Sequence, residues 1–228
     1  MKKHGKKYEA ALKLIDASKV YSVHDACELV KQTSTTKFDS GVDISFRLNI
    51  DTKQADQQVR GTVVLPSGTG KNVKVLALTH TKVEEAKASG ADFVGGKELL
   101  EKIVNEKWFG FDVICATPDM MGEIGKVGKV LGPKGLMPNP KTGTVGMDMT
   151  KMVSELKAGK VEYRADKSGN VNLGIGKVSF ETSKLEDNLK TILAQIVKVR
   201  PQTVKGQYIL NCVVHTTMGP AIKIQYSE

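Results

Sequence analysis

The sequence is poor in cysteine, and the few cysteines that it has are widely separated. Cys27, Cys115 and Cys212 form no Cys-x-x-Cys pair, and no histidines cluster near them, so neither a disulfide framework nor a zinc site is indicated. The odd number favours a reducing compartment and predicts three small core residues. His24 lies close to Cys27, but without a third catalytic group this spacing indicates one helix face rather than a nucleophile with its base.

Long hydrophobic runs are also missing. No apolar stretch approaches the roughly 18 residues that a membrane-spanning helix needs. The basic N-terminus, Lys2 to Lys7, is followed by Tyr8-Glu9-Ala10-Ala11 and not by the apolar core of a signal peptide. These absences predict a cytoplasmic protein that does not bind membranes.

A catalytic constellation is absent as well. The paired carboxylates Glu84-Glu85 and Glu186-Asp187 fall in exposed, helix-like contexts. The segment 67–72 suggests a phosphate loop, but Leu65 stands where the first glycine is required and Asn72 where Ser or Thr is required. We interpret this segment as a flexible domain junction. The sequence therefore predicts a binding protein, not an enzyme, with no cofactor and no metal.

What the sequence has is basic charge. The formal net charge is +9 with a pI near 9.3, and residues 1–66 and 159–228 together hold +7 of it. Such a balance indicates a polyanionic partner. The chain has 228 residues, of which 40% are hydrophobic and 26% charged, so it is long enough for one large or two small domains with a buried core.

The segment from Gly125 to Thr144 holds four lysines, five glycines and three prolines and no acidic residue. From Gly132 onward the prolines and glycines predict a shaped loop whose amides and lysines face outward. An acid-free basic loop suits an anionic partner, although a solvated connector is the alternative. The spaced glycines Gly122, Gly125 and Gly128 are interpreted as close packing at a helix or at its end.

The first part of the chain has an α+β pattern. Helices are predicted over 8–15 and over 23–31, the second with Ser22 as its N-cap. From Val42 to Ile50 apolar and polar residues alternate, which predicts a strand with one buried face, and 59–65 predicts a second strand.

The middle of the chain alternates short strands and helices. Strands are predicted over 73–78, 91–94 and 111–116. Helices are predicted over 81–89 and 96–107, another begins over 118–125, and a last one covers 147–158 with Asp148 or Thr150 as the cap. This alternation predicts a mostly parallel, Rossmann-like sheet with helices on both faces.

Hairpin-like patterns return after Gly159. Strands are predicted over 161–164, 171–175 and 177–180, with a turn at 166–169, then a helix over 185–199 that Pro201 stops, and strands over 208–214 and 221–226. Because the two ends share one pattern, we predict an α+β domain of the split β-α-β type with an antiparallel sheet, built from 1–66 and 159–228. An α/β domain over 67–158 would be inserted into it.

The order Gly-Lys-Val-Leu-Gly-Pro-Lys-Gly-Leu-Met-Pro-Asn-Pro-Lys-Thr-Gly-Thr-Val from Gly128 closely resembles the signature of the large-subunit ribosomal protein one family. The resemblance extends from Lys-Lys-His-Gly-Lys-Lys-Tyr at residue 2, through Thr36-Lys37-Phe38-Asp39, to Thr216-Thr217-Met218-Gly219-Pro220. It covers essentially the whole chain and implies the same two-domain arrangement.

The resemblance implies that the domain made of both termini binds RNA. The residues that it places in the binding surface for ribosomal RNA, and for the protein's own messenger, are Lys37, Phe38, Arg164, Lys167, Ser168, Gly169, Asn211, Thr216, Thr217, Met218 and Gly219. Residue types alone leave alternatives: Phe38 could fill the edge of the core, 166–169 could be a plain turn, and 216–220 could be a tight hairpin. Asn172 and Asn211 stand where the family commonly has His and Ser.

The resemblance also implies a monomeric structural protein of the mobile ribosomal stalk. The inserted domain would face exit-site tRNA through Lys126, Lys129, Lys134 and Lys141, assisting tRNA release, and the protein would repress translation of its own messenger. Two other classes stay open. A nucleotide-binding enzyme would bind ATP or a dinucleotide saturably, and a non-specific RNA chaperone would lose all RNAs together as salt rises.

Overall fold

A computed structural model describes residues 4–226, so Lys2 and Lys3 of the basic N-terminus lie outside the described residues. The described α-helices and β-strands are, in chain order, α1 (Lys6–Leu12), α2 (Val23–Gln32), β1 (Gly41–Leu48), β2 (Arg60–Val64), β3 (Val75–Leu78), α3 (Val83–Ala88), β4 (Phe93–Gly95), α4 (Lys97–Asn105), β5 (Val113–Ala116), α5 (Met121–Leu131), α6 (Met149–Lys157), β6 (Lys160–Arg164), β7 (Asn170–Lys177), α7 (Thr182–Lys198), β8 (Ile209–Thr216) and β9 (Ile222–Lys223). The chain divides into two compact units. Unit 1 comprises the described residues up to Gly70 and those from Val161 onward, and unit 2 is Lys71–Lys160.

Unit 1 is built around a four-stranded sheet with the order β7-β1-β8-β9. The three neighbouring pairs, β7 with β1, β1 with β8, and β8 with β9, are all antiparallel. The alternation predicted from the sequence is confirmed in β1, where Val42, Ile44, Phe46 and Leu48 are buried and Arg47 is exposed. A bulge opposite Val42 and Asp43 accommodates the extra residue Ile175 of β7.

Two helices cover the buried face of this sheet. Helix α2 packs on β8 and α7 packs on β7, and the two helices also contact each other. The predicted cap is confirmed, because the Ser22 side chain accepts a hydrogen bond from the Asp25 amide at 3.2 Å. Helix α7 begins at Thr182, three residues before its predicted start, and buries Leu185, Leu189, Ile192 and Ile196 on one side. The opposite face of the sheet is therefore the one that can take a ligand.

The predicted hairpin around residues 166–169 is wrong. The turn exists, but β6 pairs with β2 in a separate two-stranded sheet whereas β7 joins the main sheet, so the turn connects strands of two sheets. The strand predicted over 177–180 is wrong too, because β7 ends at Lys177 and a turn follows, in which the Phe180 amide donates to the Lys177 carbonyl at 3.0 Å. The strand predicted over 221–226 is limited to β9, after which Ile224 bridges to Tyr21.

Unit 2 has a three-stranded sheet with the order β4-β3-β5, and both pairs are parallel as the alternation of strands and helices predicts. One face, with Leu76, Leu78 and Ile114, packs on α4 and α5. The other face, with Val75 and Ala77, packs on α3 and α6. Helix α6 is capped by Asp148, whose side chain accepts from the Lys151 amide at 3.1 Å.

The helix predicted to begin near Pro118 starts with a 3-10 turn over Pro118–Met120 and continues as α5 through its glycines to Leu131. The expectation of close packing at these glycines is wrong for two of them, since no atom beyond the neighbouring backbone of the helix lies within 4 Å of a Cβ built at Gly122 or Gly125. Only at Gly128 would a Cβ make ordinary contact, with the Met137 side chain at 3.8 Å. The buried Ile124, Val127 and Leu131 hold the helix instead.

The segment where the chain leaves unit 1 is held by a buried asparagine of α7. Asn188 Oδ1 accepts from the Ser67 amide at 3.0 Å, and its Nδ2 donates to the carbonyls of Gly68 and Ile175 at 2.9 and 2.8 Å. Because the asparagine side chain is buried, the hydrogen bonds hold Ser67 and Gly68 against α7 and β7. Among residues 4–226, no helix is long and apolar enough to cross a membrane.

Candidate nucleic-acid interface

The open face of the four-stranded sheet is a polar surface arranged in three rows across the strands. The register of the strands gives the rows Asn170–Arg47–Asn211, then Asn172–Ser45–Val213–Lys223, then Gly174–Asp43–His215. These positions alternate with the buried ones, so they lie on the side away from α2 and α7. Two cationic side chains, several amides and a hydroxyl therefore face outward together.

Two predicted site segments meet at the end of the sheet where β1 begins. The Gly41 amide donates to Thr217 Oγ1 and the Thr217 amide donates to the Gly41 carbonyl, both at 3.1 Å. Near this junction Phe38 and Met218 are 62% and 63% exposed, and Lys37 is exposed too. The alternative in which Phe38 fills the edge of the core is wrong. The end of the sheet instead presents an aromatic ring, a flexible thioether and a cation.

The segment 216–219 is a tight turn after all, since the Gly219 amide donates to the Thr216 carbonyl at 3.0 Å. Thr216 is 2% exposed and its Oγ1 has no hydrogen-bond partner among the described residues. A Cβ built at Gly219 would collide with this Oγ1, which is why the turn needs a glycine there. Thr216 and Gly219 thus shape the turn, and Thr217 and Met218 are its exposed side chains.

The third predicted segment lies at the opposite end of β1. The Gly169 carbonyl accepts from the Leu48 amide and the Lys167 carbonyl accepts from Thr52 Oγ1, both at 2.9 Å. Arg164, Lys167 and Ser168 are exposed, whereas Gly169 is buried with φ 80° and serves the turn itself. Since eight strand residues span about 24 Å, the predicted residues form two groups joined by the open face.

Each of the two groups of predicted residues is held in place by a carboxylate of its own. Asp166 Oδ1 accepts from the amides of Ser168 and Asn170 at 2.8 Å, and the hydrogen bonds from Asn170 are the main cause that lowers the pKa of Asp166. Asp39 binds the Ser179 amide and hydroxyl at 3.0 and 2.8 Å, and the Ser179 hydroxyl is the main cause that lowers the pKa of Asp39. Both carboxylates therefore stay ionised at neutral pH and hold their loops.

The residues that connect the two groups are those that sequence reasoning missed. Asn211 of the predicted set lies on the open face, but the sequence patterns do not predict Arg47, Ser45, Lys223 or His215, which lie there too. A signal for them was present, because Ser45 and Arg47 are the polar positions of the alternating strand β1. The register that aligns them with β8 and β9 depends on residues far away in the sequence.

In unit 2 the basic loop differs from its prediction. Lysines 126, 129, 134 and 141 are all exposed, but the amides from residue 139 to 144 are largely used within the loop. The Asn139 amide donates to Thr144 Oγ1 at 2.8 Å, and the amides of Thr142 and Thr144 donate to the Asn139 carbonyl. The expectation of outward-facing amides is therefore wrong there. Lys134 Nζ lies 4.0 Å from the centre of the Phe109 ring, which fixes this lysine.

The three thiols are unsuited to nucleophilic catalysis. Cys27, Cys115 and Cys212 are buried, as predicted, and burial is the main cause that raises the pKa of each thiol to about 12. His24 does not activate Cys27, because its imidazole contacts Glu186 at 3.2 Å and Glu28 at 3.5 Å.

Comparison with known proteins identifies close relatives. The family model described as the ribosomal protein L1p/L10e family matches residues 30–220. The large ribosomal subunit protein uL1 of Mycoplasma capricolum is 58% identical over 226 residues, which cover 99% of this chain and 100% of that protein. The uL1 proteins of Mesoplasma florum and Macrococcus caseolyticus are 59% and 58% identical, again over at least 99% of both chains.

Proposed function

Because the chain belongs to the ribosomal protein L1p/L10e family, we propose that it grips a structured segment of large-subunit ribosomal RNA with the open face of its four-stranded sheet. As a member of this family the protein is a structural, non-enzymatic component of the large ribosomal subunit, and binding to ribosomal RNA is general to the family. The finer proposal concerns which residues of this chain bind the ribosomal RNA, and which other RNAs the chain binds.

The observation that supports this surface is the pairing of exposed apolar groups with cations around a polar sheet. Lys37, Arg47 and Lys223 can meet phosphates and supply salt-dependent affinity. Phe38 can stack on a splayed base, and Met218 can pack against sugar or base. At the far end Arg164, Lys167 and Ser168 extend the surface. A protein surface of this kind reads the shape of an RNA together with a few unpaired bases.

Unit 2 supports a second RNA contact. Lys126 and Lys129 lie one turn apart on the exposed side of α5, opposite the buried Ile124 and Val127, and Lys141 is exposed on the following loop. We propose that these lysines, with Lys134, face the exit-site tRNA and that unit 2 is the moving part of the stalk that assists its release. The protein's own messenger would compete for the sheet of unit 1, which makes repression and ribosome assembly mutually exclusive.

The proposal is tested by a competition gel shift on a stalk fragment of ribosomal RNA, with unrelated duplex RNA as competitor, at low and near-physiological salt. Met218→Ala and Phe38→Leu are each expected to weaken binding to the stalk fragment by about tenfold, because base or sugar packing contributes roughly 1–3 kcal/mol. The matched control is Met147→Ala, which removes a methionine that is 62% exposed in unit 2 and is expected to leave this binding unchanged.

The alternatives predict different outcomes. A non-specific basic chaperone would bind stalk fragment and duplex equally and lose both at higher salt. A nucleotide-binding enzyme would gain thermal stability with ATP or a dinucleotide. If Met218→Ala and Phe38→Leu bind the stalk fragment as well as the Met147→Ala control does, the assigned surface is incorrect.

A further inference from the structure

His215 occupies a distinctive position on the open sheet face. It lies on β8 directly opposite Asp43 of β1, and across β1 from Asp43 stands Gly174 of β7. A Cβ at Gly174 would lie 3.3 Å from Asp43 Oδ1, so the glycine leaves this carboxylate uncovered on the β7 side. The row Gly174–Asp43–His215 therefore brings a carboxylate and an imidazole together on a surface that faces RNA.

The hydrogen bonds of His215 specify how its two protonation states differ. Nδ1 lies 3.2 Å from the Thr216 carbonyl, which only accepts, so Nδ1 carries a hydrogen in both states. Nε2 lies 3.4 Å from Ser45 Oγ. In the neutral ring Nε2 has to accept, and the Ser45 hydroxyl donates to it. In the charged ring Nε2–H donates to the Ser45 oxygen, and the hydroxyl hydrogen of Ser45 is then available to another acceptor.

We infer that His215 makes RNA binding by this protein pH-dependent, because protonation of its ring adds a positive charge on the strand opposite Asp43 and turns the Ser45 hydroxyl into a donor for an RNA oxygen. The inference rests on the proposed function of the sheet face. The ligand that recognises the protonated state is a phosphate or a 2′-hydroxyl of RNA, each of which can accept a hydrogen bond from Ser45.

The surrounding charges favour this role. From β1 the face carries Asp43 and Arg47, and from β9 it carries Lys223, whereas β7 contributes Asn170, Asn172 and Gly174. At the same end of the sheet Asp39 and Lys177 form an ion pair with 3.8 Å between the charged atoms. Asp43 repels phosphate, and a positive charge on the His215 ring across the strand pair opposes that repulsion. Histidine ordinarily changes charge between about pH 5 and pH 8, which sets the range of the experiment.

The experiment measures the affinity of the full chain for the stalk RNA fragment at about pH 5.5 and about pH 8, each over a range of salt concentrations. We expect the native protein to bind about fivefold more tightly at the lower pH, as a charge-assisted contact replaces a neutral one. The logarithm of the affinity should fall more steeply with the logarithm of the salt concentration at the lower pH, by nearly one released counterion. His215→Gln should show the weaker affinity and the shallower salt dependence at both pH values. His215→Arg should show the steeper salt dependence at both.

His24→Gln is the matched control, since it makes the same exchange on α2, on the helix-covered side of the sheet, and should keep the full pH effect. Equal pH effects in the native protein and His215→Gln would overturn the inference and assign the effect to other groups or to the RNA. Tight binding by the native protein with no pH effect would overturn it too. An absence of specific RNA binding at both pH values would instead contradict the proposed function of the sheet.

Discussion

Position 219 requires a glycine because of the nearby side chain of Thr216. A Cβ at position 219 would collide with Thr216 Oγ1, although the backbone at Gly219 is not left-handed. We therefore predict that Gly219→Ala destabilises the protein by about 1–3 kcal/mol through overpacking of the turn. The Thr216 hydroxyl is buried without a hydrogen-bond partner among residues 4–226, so removing it sacrifices no hydrogen bond in the described structure.

A double-mutant cycle separates this collision from a general effect of the turn. Thr216→Ala should create the space that an alanine at position 219 needs, so the double variant is expected to be at least about 1 kcal/mol more stable than the sum of the two single changes predicts. Denaturant unfolding of the four proteins measures the coupling. The matched control is Gly122→Ala on α5 of unit 2, which like Gly219 is not left-handed and has no atom beyond its own stretch of helix near its built Cβ, and it should show no coupling with Thr216→Ala. Additive effects at positions 216 and 219 would contradict the steric argument.

At the scale of elements, helices α2 and α7 are joined by a network of polar side chains. Glu186 of α7 binds Lys190 at 2.7 Å and His24 of α2 at 3.2 Å, and the hydrogen bond from Lys190 is the first cause that lowers the pKa of Glu186, followed by the one from His24. A carboxyl whose folded pKa is lowered contributes stability above its unfolded pKa, near 4.5, and loses that contribution as the pH falls through the folded pKa.

We predict that Glu186→Gln lowers the free energy of unfolding by up to about 1 kcal/mol at pH 7, the usual size for a partly exposed pair. The difference from the native protein should shrink as the pH falls below about 4.5, because the native carboxyl is then protonated. Urea unfolding at neutral pH and at about pH 5 and pH 3.5 measures it. Glu181→Gln is the matched control and should have a smaller effect at pH 7, because it removes an exposed carboxylate that directly precedes α7 and is paired, among the described residues, only with Lys184 of that helix. If the difference in unfolding free energy between the native protein and Glu186→Gln grew at low pH, the pH-dependent stability could not be assigned to Glu186.

Elements with a strong local pattern could be predicted from the sequence, and their pairing could not. The alternation in β1, the caps of α2 and α6 and the parallel strands of unit 2 all follow from neighbouring residues. The pairing of β6 with β2 depends on Tyr163 packing close to Gly61, where a Cβ would lie 2.5 Å from the phenol oxygen. No local pattern specifies such a contact, so the sequence around the turn at 166–169 predicts a hairpin that the structure does not have.

The candidate site shows the same limit. The resemblance supplied Phe38 and Met218, whose large exposure is what a stacking or packing role requires. It could not reveal that Thr216 and Gly169 are buried parts of turns, because both are small residues common in exposed loops. Nor could it single out His215, whose significance depends on its register opposite Asp43. The assignment of Phe38, Met218, Thr216 and Gly169 as RNA contacts stays a prediction, which the experiments above test.

At the scale of the whole molecule, each unit has a core of its own. The core of unit 1 includes residues from both ends of the chain, such as Val30, Phe46, Val171 and Ile192. The cores of unit 2 are formed from residues 75–156 on both faces of its sheet. Because the residues assigned to ribosomal RNA all lie in unit 1, this unit should fold and bind without the other.

We predict that a variant in which a short glycine-rich linker replaces residues 71–160 binds the stalk RNA fragment within about threefold of the full chain, since its phosphate contacts are retained. Binding to tRNA should fall much further, because Lys126, Lys129, Lys134 and Lys141 are all removed. Circular dichroism and thermal unfolding first establish that the variant is folded, and filter binding with both RNAs then measures the two affinities. A full chain in which these four lysines are changed to Gln is the matched control and should show the same selective loss. The folded variant could fail to bind the stalk fragment while the four-lysine variant still bound it. Recognition of ribosomal RNA would then require unit 2, and the assignment of ribosomal RNA to unit 1 and tRNA to unit 2 would be wrong.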